Sequence, residues 1–138
     1  MYANMGLAKG YAAIVGVVLV LVGLLGFISN PIVGDAASNP IFVTGTIHNL
    51  VHLLTGALAL YIAFGLTGEQ RIAGIAGFGV LYVAIFVLTL VNPSLFGLLN
   101  YPVNAADHVL HLALAVASLG VAWYERSGAG ARGIPRRA

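Results

Sequence analysis

The sequence predicts an all-α membrane protein, a four-helix transmembrane bundle built from two parallel two-helix repeats. Three observations point there. The 138 residues are 60% hydrophobic and only 7% charged, whereas about a quarter of a soluble domain is charged. The few charges (Lys9, Asp35, Glu69, Arg71, Asp107 and a group from Glu125 onward) leave four intervals between them, each able to hold a spanning helix of about 20 residues. The motifs of the first half also recur, in the same order, in the second.

The first apolar segment is residues 11–29, "YAAIVGVVLVLVGLLGFIS". Its basic start at Lys9 would suit a signal peptide, but the run exceeds the roughly 7–15 residues of a signal core, which predicts a retained helix. "SNPIVGDAASNP" follows, a turn-rich loop marked by two Asn-Pro pairs. The second helix is expected over 45–66. "GLTGEQR" links it tightly to a third over 72–91, and "VNPSLFGLLNYPVN" leads to a fourth over 105–124. In lipid every backbone polar group needs an internal partner, so such runs must be helices. Residues 1–125 therefore form one membrane domain, followed by a basic tail over 126–138.

Charge fixes the expected orientation. Four crossings put Lys9, Arg71, Arg126, Arg132, Arg136 and Arg137, all the Lys and Arg present, on one side of the membrane. Cytoplasmic loops carry the excess of Lys and Arg, so both termini are expected in the cytoplasm, with the lipid bilayer as first partner. Trp123 and Tyr124 fit an interfacial aromatic position at that end. The positive charge is not gathered into a basic face interleaved with aromatics, which argues against nucleic acid. With no cysteines, disulfides and thiolate metal sites are excluded.

The internal repeat pairs "ISNPIVG" with "LVNPSLFG" and "HNLVHLLTGALAL" with "DHVLHLALAVASL". His52 falls on His111 and His48 on Asp107. Each half crosses twice, so the copies would be related by an axis along the membrane normal. Ala12 with Gly16, Ala73 with Gly77, and Ala113 with Ala117 supply small residues four apart for close helix packing.

His48 and His52 lie one turn apart on one helical face, as do Asp107 and His111. Should the heads of the second and fourth helices meet, three imidazoles and a carboxylate would converge, with His52 and His111 roughly 9 Å below the outer surface at 1.5 Å per residue. Such a set suits zinc or another transition metal. His52 and His111 alone could instead be axial ligands of a b-type haem between facing helices. The plain alternative needs no cofactor: Asn104 or Asp107 caps the fourth helix, and His52 and His111 bond to Thr55, Thr46, Asn49 or a loop carbonyl. His108 points about 100° away from Asp107 and is the weakest candidate. Tyr61 and Tyr82 lie within helices and are read as packing residues that could donate into the bundle.

"GFISNPIVG", "HNLVHLLTGALAL", "VNPSLFGLL" and "NAADHVLHL", in this order and spacing, resemble the bacterial membrane family known as domain of unknown function 4383, from just before Lys9 to Tyr124. The resemblance implies a small four-helix protein of the bacterial plasma membrane and carries no established activity. That family commonly has Asn at the place of His108, which counts further against this residue as a ligand.

An enzyme is not expected. No nucleophilic serine stands in a histidine and carboxylate setting, and no Gly-rich phosphate loop precedes a helix. A structural or accessory role is the simplest expectation. The alternatives are a metal- or haem-binding electron-transfer subunit and a small transporter or proton-linked protein, the transporter needing a homo-oligomer or larger complex for alternating access.

Overall fold

The computed structural model describes residues 5–128. The tail expected over 126–138 lies outside the described residues from 129 onward. Four helices account for most of the described chain: α1 (Met5–Leu25), α2 (Thr46–Phe64), α3 (Gly68–Val91) and α4 (Ala105–Arg126). All four are long and apolar enough to cross a membrane. Between α1 and α2, β1 (Val33–Gly34) pairs in parallel with β2 (Phe42–Val43), with Val33 opposite Phe42 and Gly34 opposite Val43.

The first helix begins before residue 11 and ends at Leu25, short of the expected residue 29. Asn30 explains the early stop. Its Nδ2 donates to the carbonyls of Leu25 (2.7 Å), Ile28 (2.6 Å) and Val33 (3.0 Å), while its Oδ1 accepts from the amides of Ile32 and Val33. One side chain thus supplies the partners that a helical continuation would have given, and Phe27 and Ile28 leave the helix although apolar. The third helix starts at Gly68 rather than at residue 72. Glu69 in its first turn suits the positive end of the helix dipole.

α1 packs along α2 and α3 along α4, with lighter contact between the pairs. Glycine sets the first crossing. A methyl group on Gly16 would lie 2.9 Å from the Leu60 amide nitrogen, and one on Gly56 2.8 Å from that of Val20. Gly79 performs the same service for α3 against α4, facing Leu119. Two of the expected small-residue pairs are corrected: Ala73, Gly77, Ala113 and Ala117 are exposed, and the helices meet instead through Gly79, Ala115 and Ala122. Spacing placed each pair on one face; it did not say which face was inside.

The outward faces are apolar in the way lipid requires, with Ile14, Leu54, Val80 and Val116 all more than half exposed. Inside, Ala8, Ala12, Leu19, Ala59, Ala63, Ile75 and Phe78 make a core of small and medium side chains. The loop after α3 differs from the loop after α1: it forms turns, with Leu95 (φ 49), Phe96 (φ 59) and Gly97 (φ 87) consecutively left-handed.

Candidate metal centre

α2 presents His48 and His52 from successive turns, their ring centroids 4.5 Å apart. α4 brings His111 to the same point, 5.9 Å from the His48 ring. The candidate ligand nitrogens of the three residues lie within 4.8 Å of one another. All three side chains are buried, His52 to 1% exposure. The second and fourth helices therefore meet at their heads, an adjacency that short loops between consecutive helices could not predict.

The surroundings leave four of the six imidazole nitrogens buried without partners. His48 Nδ1, His111 Nδ1 and both nitrogens of His52 are buried and make no hydrogen bond. Thr55, one expected partner, is engaged elsewhere: its Oγ1 donates to the Val51 carbonyl at 2.8 Å and contacts the Tyr82 hydroxyl at 2.8 Å. Asn49 is buried with an unpartnered Oδ1, so it does not answer the histidines either. Buried polar groups in folded proteins are nearly always hydrogen-bonded, and each exception calls for an explanation.

Asp107, the fourth candidate ligand, stands outside the histidine cluster. Its Oδ2 accepts from the Asn104 amide at 3.1 Å while the Asn104 side chain accepts from the Asp107 amide at 3.0 Å, a reciprocal capping box at the head of α4. Asn104 Nδ2 also donates to the Ile41 carbonyl, tying the loop before β2 to the same helix end. His108 turns aside and stacks edge-on against Phe86, with centroids 6.3 Å apart.

A cavity of about 130 Å³ adjoins the cluster, with His48, His52 and His111 in its wall together with Tyr82 and Thr89 of α3. Tyr82 is 1% exposed and its ring lies 5.9 Å from that of His111, whereas Tyr61 faces outward. Tyr82 and Thr89 are seven apart and share a helical face, the one signal in the sequence that could have placed both beside the site. Arg71 was not singled out as a structural residue either. Its guanidinium lies buried at the far end of the bundle, donating to the carbonyls of Ile62, Ala63 and Leu66.

Three imidazoles that converge in this way can bind a metal ion. At a metal–nitrogen distance of about 2.1 Å a tetrahedral ion holds its ligand nitrogens about 3.4 Å apart. Given a span of 4.8 Å or less, rotations that close the set by at most about 1.4 Å suffice.

No curated protein and no solved structure matches the chain. A family model described as Domain of unknown function (DUF4383) matches residues 9–124, which take in α2 and α3 whole, most of α1 and α4, and every histidine of the cluster. The chain belongs to that family.

Proposed function

We propose that this protein is a four-helix integral membrane protein that binds one first-row transition-metal ion through His48, His52 and His111. One observation carries the reading: three buried imidazoles offer ligand atoms within 4.8 Å of one another, and His48 Nδ1, His111 Nδ1 and both nitrogens of His52 make no hydrogen bond. The clamp alternative needs imidazole nitrogens bonded to Thr55, Thr46, Asn49 or a loop carbonyl, and among the described residues His48 Nδ1, His111 Nδ1 and both His52 nitrogens make no such bond. An imidazole-only set suits copper or zinc, the late members of the affinity series.

Haem fits poorly. His48 lies 4.5 Å from His52 and 5.9 Å from His111 and crowds the space a macrocycle would need. The adjoining 130 Å³ also falls short of the roughly 300–1,000 Å³ of pockets for organic ligands and cofactors.

The reading is of a binding protein rather than an enzyme: the cavity wall offers no carboxylate beside the imidazoles, and its two hydroxyls, Tyr82 and Thr89, are held by Thr55 and by the Ile85 carbonyl. It places the site in the outer part of the bilayer. Lys9, which sits over the Phe64 ring at 5.4 Å, and Arg71 mark the opposite end, which the excess of basic residues assigns to the cytoplasm.

The test is elemental analysis of protein purified in mild detergent with a tag free of histidine. The expected result is close to one copper or zinc per chain after incubation with the ion, lost in His52→Ala and in His111→Ala. A wild-type protein that takes up neither ion at micromolar concentration overturns the reading.

A further inference from the structure

Three imidazoles fill three positions of a tetrahedral ion and leave the fourth for a ligand from outside the protein. What can reach that position is decided by the cavity that shares the histidine wall. Its other walls are Val51, Ile85, Leu95, Leu99 and Val103. The two hydroxyls that border it are already engaged, Tyr82 with Thr55 at 2.8 Å and Thr89 with the Ile85 carbonyl at 2.7 Å. A charged or many-headed ligand would bury polar atoms with nothing to bond them except the metal itself.

We propose that the fourth coordination position opens into this cavity and takes a small uncharged ligand of up to about five non-hydrogen atoms, one donor atom on an apolar body; a cavity of about 150 Å³ lined by apolar side chains is known to hold benzene or xenon. The proposal rests on the metal-binding reading. Leu95 belongs to the left-handed turn, a conformation that non-glycine residues adopt only where the surroundings enforce it. That turn keeps a leucine side chain on the cavity wall.

The experiment loads the detergent-purified full chain with copper(I) and adds carbon monoxide, which has one donor atom and no charge. One C–O stretching band in the infrared, at about one carbon monoxide per copper, is expected, and excess inorganic phosphate leaves it in place. Leu99→Phe and Val103→Phe, which fill the cavity from two sides, should each retain copper and lose at least about tenfold in carbon monoxide affinity. Copper held without a band overturns the inference alone, as does a band displaced by phosphate or kept at full affinity in the filled variants. Failure to hold copper(I) in the wild-type protein overturns this inference, and failure to hold zinc as well overturns the metal reading with it.

Discussion

The two ends of the bundle treat buried polar groups in opposite ways. At the end marked by Lys9 and Arg71, most polarity is answered, Glu125 Oε1 excepted: Arg71 reaches three carbonyls of the last turns of α2 and the following link, and Tyr11 meets Ser118 at 2.6 Å. At the other end, His48, His52, His111 and Asn49 are equally buried and their inward atoms are unanswered. Saturated groups explain themselves as architecture, since each offsets the cost of withdrawing its partner from water. Unsaturated ones within a membrane segment destabilise the fold unless something else completes them. The contrast is what motivates the metal reading of the histidine cluster.

Four substitutions sharpen or break that contrast. The largest effect is expected for Arg71→Met, which strands helix-terminal carbonyls in an apolar setting and should lower unfolding free energy by about 3 kcal/mol, since bonds from a charged donor are worth about 1.5–3 kcal/mol each. Denaturant titration in detergent reads it. A loss under about 1 kcal/mol would mean that lipid or water replaces the guanidinium.

Next comes the metal. At a free concentration of one hundred times its dissociation constant, copper or zinc should add about 2.7 kcal/mol of stability to the wild-type protein. His52→Leu should abolish that gain. Without metal the same variant should match the wild type or exceed it by a few tenths of a kcal/mol, because an apolar side chain replaces two unanswered nitrogens. Strong destabilisation of metal-free His52→Leu would instead mark the imidazole as architecture.

Gly56→Val tests the packing between α1 and α2. Its side chain would meet the Val20 backbone, and a cost of about 2 kcal/mol is expected from overpacking. Thermal unfolding should drop while metal stoichiometry stays at one, since His48 and His52 remain on the same helix. The smallest effect is expected for Tyr11→Phe, which removes the bond to Ser118 and should cost about 1 kcal/mol. Metal affinity should stay within about twofold.

Much of this architecture was readable in the sequence, for a physical reason. Lipid forbids unpaired backbone, so four long uncharged runs could only be helices. The pairing of His48 with His52 followed from the helical repeat alone. Helix ends were less legible because side chains decide them locally: Asn30 stops α1 inside an apolar run, and nothing in hydropathy records that. The meeting of His111 with the α2 pair depends on how the halves pack, which spacing within one helix does not encode. Asp107 had two readings in the sequence, ligand or helix cap, and the capping box with Asn104 realises the second. Ala73 and Gly77 had the right spacing on the wrong face.

Arg71 also bears on how such a chain enters a membrane. The α2 carbonyls of Ile62 and Ala63 find their donor on α3, beyond the Gly65–Thr67 link. Until α3 has begun to form, the C-terminal end of α2 therefore lacks its seal. We expect the two segments to be handed to the bilayer together as a hairpin, with the arginine holding both the sidedness of the loop and the closure of the helix before it. A lysine there would keep the sidedness and lose the closure, because a single ammonium does not present the guanidinium's fixed fork of donors.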